Sequence, residues 1–267
     1  MTRPYAEVIG DPIAHSKSPL IHNFWLAKLG IDAEYRKTHV RAAELADYFT
    51  RRREDAKWRG CNVTIPHKQA VVPHLDSLDA RAEAVGAVNT IVAAGLVGFN
   101  TDVAGIIEPL AEVALAGREV AVIGAGGAAR AAVAALQQLG AGEISLLNRT
   151  LGKAAELLRV AGANRRALPL DAPLDDVALV VNTSSLGMTG QAALALDLSR
   201  VADDCVVFDA VYAPLDTPLL IAARARGLRT IDGLHMLVGQ AAAAFELFFG
   251  QPAPREHDAE LRALLTA

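Results

Sequence analysis

The sequence predicts an α/β protein built on a parallel, doubly wound sheet, and three observations carry the prediction. Short apolar, β-rich runs alternate with helix-length segments along most of the chain. A glycine-rich turn, VIGAGGAAR, joins one of these runs directly to a helix. With 267 residues, 52% of them hydrophobic, the chain has material for two ordinary cores.

In order, the first third gives AEVIG as a strand, a helix from Ser18, AEYRKTHV as a strand, a helix through AAELADYF, and the strand-like GCNVTIP. Ser18 and Pro19 read as N-cap and first helical residue, and Gly30 stands where a C-terminal cap belongs. VNTIVAA and GLVGFNTD read as a hairpin leading into a helix that starts near Asp102, where the first domain closes. From Arg118 the alternation becomes more regular. REVAVIG, EISLLN, VALVVNTS, DCVVFDAVY and RTID read as strands, and GAGGAARAAVAALQQLG as a helix entered through glycines. The last helical stretch, HMLVGQAAAAFELFFG, is apolar round much of its circumference and must pack on something sizeable.

Composition removes several classes of function. A net charge of -4 leaves no footprint for nucleic acid, and the one basic run, Arg51 to Arg53, is followed by Glu54 and Asp55 and reads as a solvated helix face. Cys61 and Cys205 lie far apart without metal-ligand spacing, so no disulfide framework and no metal site is expected. The start, MTRPYAEVIG, lacks the apolar core of a signal peptide, and no run reaches the roughly 18 apolar residues of a membrane span. The expectation is a cytoplasmic protein that engages neither membrane nor nucleic acid.

Gly124, Gly126 and Ala129 take the G-x-G-x-x-A spacing between a strand and a helix. Gly124 permits the tight turn, Gly126 lets backbone approach a pyrophosphate, and Ala129 lets helix and strand pack closely. An NAD-type fold places a carboxylate at the end of the next strand. Here EISLLN ends in Asn148, Arg149 and Thr150, with Lys153 one turn on. A guanidinium suits a 2′-phosphate that a carboxylate would repel, so NADP is favoured over NAD; the bland alternative is a pair of surface charges at a helix start.

GCNVTIPHK alternates Asn62 and Thr64 with Val63 and Ile65, which puts polar groups on one strand face, and Lys68 follows the turn at Pro66. GFNTD brings Asn100, Thr101 and Asp102 to a hairpin end and helix start, and HSKSP adds Ser16 and Ser18 beyond the first strand. Each has an ordinary explanation in isolation: Lys68 as a surface lysine, Asp102 or Thr101 as a helix cap, Ser18 as a cap, Ser16 as loop composition.

Over essentially its whole length the chain resembles the shikimate dehydrogenase family. The resemblance rests on GDPIAHSKSPLIHN, GCNVTIPHK, GAVNT, GFNTD, VIGAGGAAR, NRTLGK, NTSSLGM, DAVYAPLDTPLL and DGLHMLVGQAAAAF, in that order. It implies an α/β substrate-binding domain of residues 1–103 plus 235–267, a Rossmann-type NADP-binding domain of residues 104–234, and a cleft between them. It implies that Ser16, Ser18, Asn62, Thr64, Lys68, Asn89, Asp102, Tyr212 and Gln240 contact shikimate, with Lys68 and Asp102 as the catalytic pair. Gly124, Ala125, Gly126, Gly127 and Ala128 would hold the pyrophosphate of NADP(H), and Asn148, Arg149, Thr150 and Lys153 its 2′-phosphate end. Val211 and Gly233 would approach the nicotinamide through backbone. The implied partner is a small molecule, on a chain that is monomeric or homodimeric.

The implied reaction is reversible NADPH-dependent reduction of 3-dehydroshikimate to shikimate, a step of chorismate and aromatic amino-acid biosynthesis. Lys68 would supply the proton, and Asp102 would orient the ammonium and bind a neighbouring hydroxyl. Two other readings stay open: a quinate/shikimate dehydrogenase of broader substrate or cofactor use, and a non-catalytic NADP-sensing protein. Two residues depart from the family pattern. Val103 stands where a smaller residue is expected, and His235 where glycine is more usual, either crowding the nicotinamide side or facing solvent.

Overall fold

The computed structural model describes residues 3–161 and 165–267. The chain divides into two compact units: one runs to Thr101 and resumes over Gln240–Ala267, and the other is Asp102–Gly239. Residues 1–2 and 162–164 of the expected segments lie outside the described residues.

The first unit contains strands β1 (Tyr5–Gly10), β2 (Glu34–His39), β3 (Trp58–Val63), β4 (Ser77–Leu78), β5 (Thr90–Val92) and β6 (Val97–Phe99). Helices α1 (Ser18–Leu29), α2 (Leu45–Arg53) and α3 (Ala80–Val85) connect them. The sheet order is β2-β1-β3-β5-β6-β4. β1 pairs parallel with β2 and β3, whereas β5 runs antiparallel to both β3 and β6, so this sheet is mixed. The antiparallel pair is the hairpin expected from VNTIVAA and GLVGFNTD, which needs no crossover helix.

All six residues of β1 are buried, including Glu7. A buried carboxylate requires partners. Arg52 supplies one, its Nε donating to Glu7 Oε1 at 2.6 Å, and the Tyr48 hydroxyl donates to the same oxygen at 2.7 Å. The basic run is therefore not a wholly solvated face: Arg52 is drawn inward by Glu7, while exposed Arg53 pairs with Asp76 at 2.7 Å. The start of α1 also departs from expectation. Lys17, not Ser18, is the N-cap, and the Ser18 N–H donates to Ser16 Oγ at 3.3 Å. Gly30 ends the helix at φ 64, a left-handed cap for which glycine carries no Cβ penalty.

The second unit opens with α4 (Asp102–Leu110) and continues through β7 (Val120–Ile123), α5 (Gly127–Gln138), β8 (Ile144–Leu147), α6 (Leu151–Ala161), β9 (Arg165–Leu168) and β10 (Leu179–Asn182). β11 (Val206–Asp209), α7 (Pro218–Ala225), β12 (Arg229–Ile231) and α8 (Gly233–Phe249) follow. Its sheet is parallel throughout, in the order β12-β11-β10-β7-β8-β9. The chain builds outward from β7 through β9, then returns to the other side of β7 with β10. That reversal is the topological switch point at which open α/β sheets bind ligands.

β7, β8, β10 and β11 are buried at every position, as central parallel strands require, and Ile123, Val180, Val207 and Leu219 share one core. The far end of α8 answers where the apolar last stretch packs. Ala244 and Phe248 join Ala6, Val8, Ile13 and Tyr35 in the first unit's core, and α9 (Asp258–Thr266) completes that unit beside α1.

Candidate functional site

In the first unit the candidate residues gather at the carboxyl ends of β1 and β3. The Thr64 N–H donates to the Ile9 carbonyl at 3.0 Å, and the Asp11 N–H to the Ile65 carbonyl at 3.1 Å, so the two strand ends are laced together beyond the sheet. Gly10 makes this approach possible. A Cβ there would lie 2.5 Å from Thr64 Cγ2 and 3.0 Å from the Ile65 carbonyl oxygen. The turn that carries Lys68 is pinned by buried His67, whose Nε2 meets the Val40 carbonyl at 2.6 Å. The Lys68 carbonyl in turn accepts the Val88 N–H at 2.7 Å, which ties half-buried Lys68 to the segment entering Asn89.

Asn89 is buried and held from several sides. Its Nδ2 donates to Thr101 Oγ1 at 2.9 Å, and its Oδ1 accepts the Thr101 N–H at 2.7 Å and the Thr90 hydroxyl at 3.1 Å. Asn62, 6% exposed, commits its amide inside the unit. Its Nδ2 donates to Thr90 Oγ1 at 2.9 Å and to the Asn89 carbonyl at 3.2 Å, and its Oδ1 accepts the Tyr35 hydroxyl at 2.5 Å. Both amide hydrogens are thereby engaged. The geometry makes Asn62 a holder of the Asn89 segment; β3 ends at Val63, so Thr64 and exposed Ile65 of the alternating run lie beyond the strand. Ser16 is half-buried and Ser18 buried, brought together by the bond between the Ser18 N–H and Ser16 Oγ. Gln240, half-buried on α8, opens the returning segment of this unit.

In the second unit, Gly124 follows β7 at φ 113, and its N–H donates to the Leu147 carbonyl at 2.9 Å. A Cβ on it would lie 2.9 Å from Thr183 Oγ1 in the loop after β10, so the glycine is required by the meeting of two loops at the switch point. Gly126 differs: a Cβ there would meet nothing within 4 Å. It is exposed, precedes α5 without a side-chain cap, and the first turn of α5 holds no acidic residue. Ala125, Gly127 and Ala128 are half-buried around it, while Ala129 is fully buried. Open space over uncapped helix N–H groups fits a pyrophosphate.

β8 lies beside β7 in parallel register, Leu147 against Ile123, so the turn after β8 opens at the same sheet end. Asn148 Nδ2 donates to the Thr150 carbonyl at 2.9 Å and closes that turn, with Arg149 and Thr150 exposed on it and Lys153 exposed in the first turn of α6. Two cations without a carboxylate at this turn fit a 2′-phosphate. After β11, Val211 is buried and Tyr212 half-buried, and burial raises the Tyr212 phenol above its ordinary pKa. Gly233 begins α8 where a Cβ would lie 2.5 Å from the carbonyl oxygens of Ala210 and Val211. Asp102, the first residue of α4, is buried at 3% exposed. Of the two departures, Val103 is fully buried, and His235 is exposed, its Nδ1 lying 3.4 Å from Asp232 Oδ1. Among the described residues no group of three or more metal-ligating side chains occurs, and no helix is long and apolar enough to cross a membrane.

Family models match three stretches: the shikimate dehydrogenase substrate binding domain over residues 8–91, shikimate / quinate 5-dehydrogenase over 108–185, and the shikimate 5′-dehydrogenase C-terminal domain over 233–260. Shikimate dehydrogenase (NADP(+)) of Sphingopyxis alaskensis is 56% identical over 267 residues, covering 99% of this chain and 97% of the relative. The chain belongs to the shikimate dehydrogenase family. Among solved structures, shikimate 5-dehydrogenase of Thermus thermophilus in complex with NADP(H) and shikimate superposes with a TM-score of 0.88 at 35% identity, covering 99% of this chain and 100% of that one. Quinate dehydrogenase of Corynebacterium glutamicum in complex with NAD superposes with a TM-score of 0.89 at 30% identity, with 99% and 100% covered. The sequence reading of family and fold class agrees with these matches. It missed Tyr35, Thr90, Asn182 and Asp209; for the last two the available signal was a polar residue closing an otherwise apolar strand.

Proposed function

We propose that the protein catalyses the reversible NADPH-dependent reduction of 3-dehydroshikimate to shikimate, as a small-molecule oxidoreductase of chorismate biosynthesis. One observation carries the reading most: hydroxyl and amide side chains, Ser16, Ser18, Thr64 and Asn89, gather with Lys68 at the laced carboxyl ends of β1 and β3. Such a set suits a polyhydroxylated carboxylate, each hydroxyl of which needs a partner when it leaves water.

NADPH, when bound, supplies the hydride. Charge develops on the carbonyl oxygen as the hydride arrives, and the Lys68 ammonium donates the proton there. Asp102 orients that ammonium and accepts from the neighbouring substrate hydroxyl. Asn89 and Thr64 fix the ring through its hydroxyls, with Asn62 acting through Asn89, and Ser16 and Ser18 hold the carboxylate. Tyr212 and Gln240 complete the substrate contacts. Gly124, Ala125, Gly126, Gly127 and Ala128 carry the pyrophosphate, Asn148, Arg149, Thr150 and Lys153 the 2′-phosphate end, and Val211 and Gly233 the nicotinamide through backbone. In this reading residues 1–103 with 235–267 serve the substrate and 104–234 serve the cofactor.

The test is a rate matrix: shikimate and quinate, each with NADP and NAD, followed by nicotinamide absorbance. Fastest turnover with shikimate and NADP is the expected result. Preference for quinate or NAD would assign the chain to the broader branch, and binding without turnover to a sensing role.

A further inference from the structure

The loop after β11, which carries Val211 and Tyr212, hangs on a buried carboxylate with no part in the assignments above. Asp209 closes β11 directly opposite Asn182, which closes β10, and both are fully buried. Asp209 Oδ1 accepts from Asn182 Nδ2 at 2.8 Å and from the Val211 N–H at 3.0 Å, while its Oδ2 accepts from the Thr217 hydroxyl at 2.7 Å. Asn182 passes the constraint on. Its Oδ1 accepts the N–H and hydroxyl of Ser184 at 3.0 and 2.7 Å, and its Nδ2 also reaches the Leu186 carbonyl at 3.1 Å. Thr217 Oγ1 accepts the Leu220 N–H at 3.3 Å and caps α7.

Removing a carboxylate from water is costly, and burial does push the Asp209 carboxyl above its ordinary range. Three converging donors oppose that push, and an ionised carboxylate, which only accepts, satisfies all three. For the backbone the consequence is specific. With its N–H committed to Asp209, Val211 has its carbonyl to offer a ligand, and Gly233 packs so near that carbonyl that a Cβ on it would lie only 2.5 Å from the oxygen.

We infer that Asp209 is a positioning residue for the nicotinamide end of the cofactor: it fixes the Ala210–Val211 peptide and so places Val211 with its own carbonyl, in the next peptide, as the group presented to the carboxamide. The inference rests on the NADP-binding reading above. It separates the two ends of the dinucleotide, since the bonds of Asp209 itself go to Asn182, Val211 and Thr217, and the loop beside Gly124 is reached only at second remove, through Asn182 and Ser184.

The experiment compares wild type with Asp209→Asn in three measurements: hydrogen exchange at the Val211 amide, Kd for NADPH, and Kd for 2′-phospho-ADP-ribose, which lacks nicotinamide. Loss of a charge-assisted bond is expected to speed Val211 exchange about tenfold and to weaken NADPH about tenfold. Binding of 2′-phospho-ADP-ribose should stay within about twofold of wild type, because its contacts lie elsewhere. Equal weakening of both ligands marks a merely structural role and overturns the inference, as does unchanged NADPH binding or unchanged exchange. Failure of wild type to bind either ligand counts against the NADP reading instead, and the exchange result still decides whether Asp209 holds Val211. Should Asp209→Asn not fold, Thr217→Val removes one of the three donors and must give the same split in smaller measure.

Discussion

The Tyr35 hydroxyl donates to Asn62 Oδ1 at 2.5 Å, across β1, which lies between their two strands. Burial pushes the phenol well above its ordinary pKa, so Tyr35 keeps its hydrogen. The Asn89 carbonyl only accepts, which sets the Asn62 amide with Nδ2 toward it and Thr90 and leaves Oδ1 for the Tyr35 hydroxyl. Tyr35→Phe leaves the ring and frees the amide to turn. A neutral hydrogen bond contributes about 1 kcal/mol, so KM for shikimate should rise about fivefold with a smaller change in kcat. Steady-state kinetics check this, and an unchanged KM would remove the chain of bonds from substrate positioning.

Lys68 sits on a turn held at both of its ends, by His67 to Val40 and by its own carbonyl to Val88, so its substitution should leave that turn in place. Lys68→Ala should lower kcat by about a hundredfold or more, the usual contribution of a positioned general acid, with a smaller loss in substrate affinity. Isothermal titration with shikimate separates the two effects. Full kcat in the variant would take Lys68 out of the mechanism.

Arg149 stands on a turn closed by Asn148, at the end of a strand without a carboxylate, and Lys153 in the first turn of the helix that follows. If they hold a 2′-phosphate, Arg149→Ala should raise KM for NADPH by about tenfold, the worth of one charge-assisted contact, and leave KM for NADH nearly unchanged. Equal effects on both cofactors would place these cations outside the phosphate site.

How much of this was legible follows from how each feature is encoded. β7 and β10 announce themselves as apolar runs, and the Gly124 turn by the strand and helix on either side of it. β4 has two residues, too few to carry any period, and β9, bearing Arg165 and Arg166 on the sheet edge, reads as polar because edge strands need not be apolar. Partners distant in sequence were the least visible. Nothing local marks Glu7 as the acceptor for Arg52, 45 residues on, or Asp209 as the acceptor for Asn182, 27 residues before it. Asn62 is another case: its partners Tyr35 and Thr90 depend on sheet order.

His22 gives a prediction that concerns stability alone. Its ring is fully buried, stacked 4.0 Å from Tyr35 at 4° and 5.9 Å from Phe245, and neither nitrogen has a hydrogen-bond partner among the described residues. Burial lowers its pKa to about 3, against 6.5 for an ordinary histidine. The folded state thus holds the ring neutral while the unfolded chain takes up a proton below about pH 6.5. The contribution is fully present above that pH and is lost as pH falls toward 3, at about 1.4 kcal/mol per unit for one proton. Between pH 7 and pH 5 the wild type should lose about 2 kcal/mol more than His22→Leu, whatever the two differ by at pH 7. Urea titrations of both proteins at the two pH values measure it. The same loss in both would mean that acid sensitivity over this range arises from other groups, because leucine cannot take up the proton that the argument assigns to His22.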